Sequence, residues 1–176
     1  AVLNNAGALA SAASNVVNFE SLQKANTGVA TLTGSGTFAS TAINGGILDV
    51  DGTLNTGPIS LADGVTFNVD GTVQAAAGTP TAITGSAGAN TVVVGAGGTL
   101  LASGDLGDGA DVLDVIGTLD TSAGAFNLGA GDDTFTVHDG TSVIGDVDGG
   151  AGLDTPAYDG ATTASLGALV HFEGLA

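Results

Sequence analysis

Four segments of this chain align with one another without gaps: Ile83 to Val94, Gly104 to Val115, Phe126 to Val137 and Val147 to Tyr158. Gly88, Gly109, Gly131 and Gly152 share one column, and Asn90, Asp111, Asp133 and Asp154 share another, at nearly constant intervals along the chain. A second phrase, Gly-Thr followed by an apolar residue, recurs at Gly52, Gly71, Gly98 and Gly117, with a one-Ser variant at Gly140 and less even intervals. Self-similarity at one period of roughly 20 residues marks a chain built from stacked supersecondary units, none of which can bury its apolar side alone.

Within each unit the apolar residues alternate. Val92 and Val94, Leu113 and Val115, and Phe135 and Val137 are interleaved with Thr91 and Val93, Val112 and Asp114, and Thr134 and Thr136. A period of two is strand periodicity. Upstream, Ile47 to Val50 and Val65 to Val69 each run into Asp-Gly-Thr in the same way. Gly, Asp and Asn then supply the corners. Hairpins would require two-residue turns between matched strands, whereas these turns fall at one fixed period. The pattern therefore predicts an all-β, right-handed parallel β-helix, a solenoid of about 7–8 coils whose like residues stand in columns about 4.8 Å apart.

Composition agrees. Leu, Ile, Val and Phe make up about a quarter of the 176 residues, enough for a core, and Gly plus Pro make up about a fifth, below the level of low-complexity chains. Eighteen acidic residues face a single base, Lys24, for a formal charge of −17. Binding to nucleic acid or an anionic membrane depends on neutralising phosphates with Lys and Arg, so neither is expected as a partner. The absence of Cys removes disulfides, thiolate metal sites and thiol nucleophiles. No apolar run reaches the roughly 18 residues of a membrane span, so this segment is not expected to insert in a membrane.

One interval is longer than the rest because Gln74 to Pro80 is a small-residue insertion without alternation, expected to bulge from one corner as a loop. The ends repeat as well. Val16 to Leu22 matches Leu169 to Leu175, and the separation of Phe19 from Phe172 equals seven coils of roughly 22 residues. On that reading residues 1–176 form a single β-helix fragment, with 18–171 one long unit and 172–176 the start of the next.

Phe19-Glu20-Ser21-Leu22-Gln23-Lys24, Gly28 to Gly34 and Gly45 to Val50 together resemble the passenger-associated strand repeat of bacterial autotransporters. The resemblance covers about Asn18 to Leu54, and looser period-matching covers the rest. It implies a right-handed β-helix displayed on the surface of a Gram-negative cell, commonly as an adhesin. The chain departs from the family in having neither the alternating aromatic-rich strands of a translocating barrel nor a Gly-Asp-Ser-Gly protease motif.

Calcium is the sharpest chemical candidate, and no other cofactor is expected. Gly149 to Asp154 fits the first six positions of the nonapeptide G-G-x-G-x-D-x-U-x, with Pro156 at its apolar position. Leu106 to Asp114 and Leu128 to Thr136 miss only the first Gly. The ligands would be Asp108, Asp111, Asp132, Asp133 and Asp154, hard oxygens on tight turns of the type Ca²⁺ takes. Against this, one copy falls per coil rather than in direct tandem. The competing expectation is a row of solvated corner acids, which at about 5 Å in water repel by only about 0.8 kcal/mol per pair.

Enzyme chemistry finds less support. A lyase acting beside an acidic sugar needs Arg or Lys as base and clamp, and the chain has no Arg. A glycosidase needs two facing carboxylates with one pKa raised by burial, and abundant Asp makes that signal unspecific. His138 and His171 read as exposed or interface residues, and Lys24 carries no assigned role. Outward Thr91, Thr134, Thr136 and Asn68 form partial polar rows, broken by Val93 and Asp114. The expected function is a non-enzymatic stalk or adhesin segment, extracellular at a Gram-negative cell surface, that binds a host or bacterial surface receptor or glycan by its faces and loops and can self-associate. A calcium-dependent module is the alternative, and a polysaccharide-active β-helix enzyme a remote third.

Overall fold

The computed structural model describes residues 2–5, 19–161 and 163–173. Among these residues the chain forms a succession of strands, nearly all short. They are β1 (Val2–Asn5), β2 (Ser21–Lys24), β3 (Val29–Leu32), β4 (Ser35–Phe38), β5 (Ser40–Ile43), β6 (Ile47–Val50), β7 (Thr53–Thr56), β8 (Ile59–Leu61), β9 (Thr66–Val69), β10 (Thr72–Gln74) and β11 (Thr81–Ser86). The chain continues with β12 (Thr91–Val94), β13 (Thr99–Gly107), β14 (Val112–Val115), β15 (Thr118–Asp120), β16 (Phe126–Ala130), β17 (Thr134–His138), β18 (Ser142–Ile144), β19 (Val147–Ala151), β20 (Thr155–Asp159) and β21 (Leu169–Val170).

The pairings between these strands are parallel, and each strand pairs with its counterpart in a neighbouring turn. Three faces result. The first stacks β1, β2, β5, β8, β11, the end of β13, β16, β19 and β21. The second is a seven-stranded sheet of β3, β6, β9, β12, β14, β17 and β20. The third stacks β4, β7, β10, the start of β13, β15 and β18, so β13 runs round a corner and joins two faces. This is a parallel β-solenoid of about seven turns, and the expected all-β fold is what the chain adopts.

Alternation decides which side of each strand is buried. On the second face Ala30, Leu48, Phe67, Val92, Leu113 and Phe135 stand in one inward column and Leu32, Val50, Val69, Val94, Val115 and Val137 in the next, all buried. Leu54, Val73, Leu100, Leu119 and Val143 form the column of the third face. Buried hydroxyls at the corners are satisfied: Thr41 and Thr56 bond each other at 2.9 Å, and Thr141 Oγ1 donates to the Val115 carbonyl at 2.7 Å. The insertion Gln74 to Pro80 forms an excursion with a 3-10 turn, Ala76–Gly78, and accounts for the long interval between the paired residues Thr72 and Thr99.

The structure corrects the arithmetic of the ends. From Val29 to Thr155 the second face takes six steps, a mean of 21 rather than 22. The Glu20 carbonyl accepts from Ala39 N–H, at the corner entering the first face, whereas Glu173 N–H bonds the Asp154 carbonyl, at the corner entering the second. Glu20 and Glu173, which match in the sequence, thus lie one corner apart. On β20 Thr155 N–H points back to the Asp133 carbonyl, so position 156 faces away from β17, and Pro156 has no N–H to offer on that side.

Truncating the largest side chain in the middle of the second face tests this core. Phe67→Ala is expected to lose about 3–5 kcal/mol by lost burial and cavity formation. A urea midpoint within error of the parent would contradict the inward placement of that column.

Candidate functional site

The three Gly-rich turns that join the first face to the second match one another in sequence and hydrogen bonding. Each begins with an Asx residue whose Oδ1 accepts the N–H of the residue two positions on: Asp105 from Gly107 at 2.9 Å, Asn127 from Gly129 at 3.0 Å and Asp148 from Gly150 at 3.1 Å. Gly107, Gly129 and Gly150 then have φ of +98°, +115° and +101°, and Gly109, Gly131 and Gly152 have φ of +118°, +151° and +151°. Side chains are disfavoured at such φ values. Contact forbids them too, because a Cβ on Gly131 would collide with the Gly109 carbonyl oxygen, and one on Gly152 with that of Gly131.

Each turn ends on the column residue. Asp111, Asp133 and Asp154 are each 1% exposed, as is Asn90, so the expectation of solvated corner acids is wrong for these three. The reason is the turn itself: the glycines let consecutive turns approach so closely that the carboxylate folds under the backbone of the turn before it. Asp111 Oδ1 accepts Asn90 N–H, Asp133 Oδ1 accepts Asp111 N–H at 2.7 Å, and Asp154 Oδ1 accepts Asp133 N–H at 3.0 Å. Glu173 Oε2 extends the ladder by taking Asp154 N–H at 2.8 Å. The second oxygen of each aspartate, Oδ2 of Asp111, Asp133 and Asp154, is buried without a hydrogen-bond partner.

The other two sequence-derived ligands lie elsewhere. Asp108 and Asp132 sit on the outer rim of their turns, away from the buried row, and Asp132 Oδ1 accepts Leu153 N–H at 3.0 Å. The five candidates therefore separate into an inner row of three and an outer pair. The leading residues Asp105, Asn127 and Asp148 were missed, although Asx six positions before the column is legible in all three segments. A second acidic group, Asp49, Asp51 and Asp70, places one carboxylate oxygen from each within 4.8 Å of the others at the corner between the second and third faces.

The remaining singled-out residues have structural partners. His138 Nε2 lies 2.7 Å from Asp114 Oδ1 and its Nδ1 3.8 Å from Asp159 Oδ2, and His171 Nδ1 lies 2.7 Å from Asp148 Oδ1. Lys24, 1% exposed, points into the solenoid, where Nζ donates to the carbonyls of Asn26 and of Gly45, the latter at 2.9 Å. Burial lowers its pKa. Thr91 and Thr134 share an outward row interrupted by Val112, while Asn68 and Thr136 share the row interrupted by Val93 and Asp114. The unbroken hydroxyl row is on the third face: Ser35, Thr53, Thr72, Thr99, Thr118, Ser142 and Ser165. Its signal in the sequence was the Gly-Thr phrase.

Electrostatics follow from the burial. Desolvation pushes the Asp111 carboxyl up to about 6, opposed by the N–H of Asn90 and assisted by the charges of Asp133, Asp105 and Asp108. Asp133 is raised for the same first reason, opposed by the Asp111 N–H and assisted by Asp154 and Asp132. Asp49 is raised by burial and by Asp51 and Asp70. No family model, curated protein or solved structure matches this chain.

A raised carboxyl pKa has a defined sign. The folded state holds the Asp111 proton up to about pH 6, whereas the unfolded chain releases it near 3.8. Its contribution is stabilising below that lower value and is lost as pH rises through about 6. In chelator-containing buffer, the melting temperature of the parent relative to Asp111→Asn should therefore rise by a few degrees between pH 7 and pH 4.5. Asparagine keeps the Oδ1 acceptor and cannot titrate. Parallel pH profiles for the two proteins would contradict the assignment.

Proposed function

We propose that this chain is a stalk and adhesive segment of a surface-displayed autotransporter passenger, outside a Gram-negative cell, whose work is reach and lateral contact rather than catalysis. The observation that carries the reading is a core running unbroken through about seven turns while three flat faces present side chains outward at one spacing. Six steps of about 4.8 Å give the second face a length of about 29 Å. Each turn extends the rod by one strand spacing, which suits a spacer.

The outward chemistry supports contact by many weak bonds. An unbroken hydroxyl row lines the third face, and the Ala76–Gly78 excursion projects from the corner beside it. Glycans and protein surfaces offer complementary donors and acceptors to such a row, and repetition makes individually weak contacts additive. Clefts of about 110 and 270 Å³ at the C-terminal turn are smaller than the roughly 300–1,000 Å³ pockets that enclose small substrates.

The test uses beads coated with the purified chain. Attachment to epithelial cells or to bacterial cells, competed by excess soluble chain and reduced when Thr72, Thr99 and Thr118 are together replaced by Lys, is the expected result. Failure to bind any cell or glycan in a broad panel, or turnover of a polysaccharide in the same panel, would overturn the reading.

A further inference from the structure

A buried carboxylate in a dry corner is tolerated only if something offsets its charge. For the inner row no base among the described residues does so. Lys24 is held by Asn26 and Gly45 near the start of the solenoid, His138 by Asp114, and His171 by Asp148. Backbone N–H groups satisfy one oxygen of each aspartate and leave the other bare. The backbones of successive turns are packed closely besides. The carbonyls of Gly107 and Gly109 press against Gly129 and Gly131, and those of Gly129 and Gly131 against Gly150 and Gly152. Each turn of the row thus combines a bare, buried carboxylate oxygen with a glycine backbone packed directly on the next turn.

Hard divalent cations take this chemistry. Ca²⁺ accepts six to eight oxygens from carboxylates, backbone carbonyls and water in flexible geometry, and Mg²⁺ demands a stricter octahedron. From the buried, unpartnered Oδ2 atoms of Asp111, Asp133 and Asp154 and their stacked glycine turns, we propose that this corner binds Ca²⁺ between consecutive turns. Asp108 and Asp132 on the rim of the same turns raise the local cation concentration. The ions act as rivets: each links two turns, so binding stabilises the folded solenoid over the unfolded chain and stiffens its C-terminal half. Asn90 marks where the row ends, since its amide donates to the Ala62 carbonyl at 2.7 Å and accepts Ser86 N–H at 3.2 Å, and so occupies the same place without charge. The inference goes beyond the stalk reading, which stands or falls by adhesion.

Asn90 also supplies the variant for the test. Asp133→Asn keeps the acceptor for Asp111 N–H while removing the charge at the centre of the row. Thermal melting and titration calorimetry of the purified chain at pH 7.5 are run after chelation, adding CaCl₂, or MgCl₂ or NaCl at matched ionic strength. The expected result is saturable Ca²⁺ heat with a rise in melting temperature, little effect of the other salts, and at least tenfold weaker Ca²⁺ response in Asp133→Asn. The proposal is overturned if Ca²⁺ acts no better than matched NaCl. It is also overturned if Asp133→Asn melts higher than the parent and responds to Ca²⁺ equally. Loss of the response in Asp51→Asn instead of Asp133→Asn would move the ion to the other acidic corner, and overturn it as well.

Discussion

Parallel hydrogen bonding between one turn and the next is the constraint on which the rest of this molecule depends. Strands this short cannot persist alone. Stacked in register, they turn scattered Val, Leu, Ile and Phe residues into columns that run through the solenoid. The same register brings Gly131 against the Gly109 carbonyl and Asp133 under the N–H of Asp111. Core packing, close turn contact and the carboxylate ladder are therefore three consequences of one pairing pattern.

The ladder shows how surroundings reverse the energetics of a row of like charges. Aspartates about 5 Å apart at a wet corner barely repel, and on that basis the row would need no partner. Glycine turns change the solvent: by letting backbones approach, they remove water from Asp111, Asp133 and Asp154 and make the same spacing costly. The rise of Asp111 to about 6 is the proton-side expression of that cost, and cation uptake is the other way to offset it. In the calcium proposal the two compete for the same oxygens.

Fold and column register were legible in the sequence because period-two alternation and a glycine-aspartate column at near-constant intervals survive without coordinates. Burial of the column was not legible. It depends on how far a turn folds under its neighbour, which follows from positive φ at paired glycines and from Asp105, Asn127 and Asp148 closing the turn. Lys24 had no assigned role in the sequence, yet alternation along Ser21–Lys24 places it inward beside Leu22. The hydroxyl row of the third face was obscured by unequal turn lengths, with Thr72 and Thr99 separated by the Gln74 to Pro80 insertion.

Distances between outward positions on the second face test the stacking most directly. The chain has no cysteine, so pairs of introduced cysteines carry spin labels without background. Thr66 and Thr155 are four steps apart and Val29 and Thr155 six, so the label pairs should centre near about 19 and 29 Å, growing by about 4.8 Å per turn. Narrow distributions obeying that increment are the expected result. Broad distributions, or separations that do not scale with the number of turns, would contradict the solenoid and everything derived from its register.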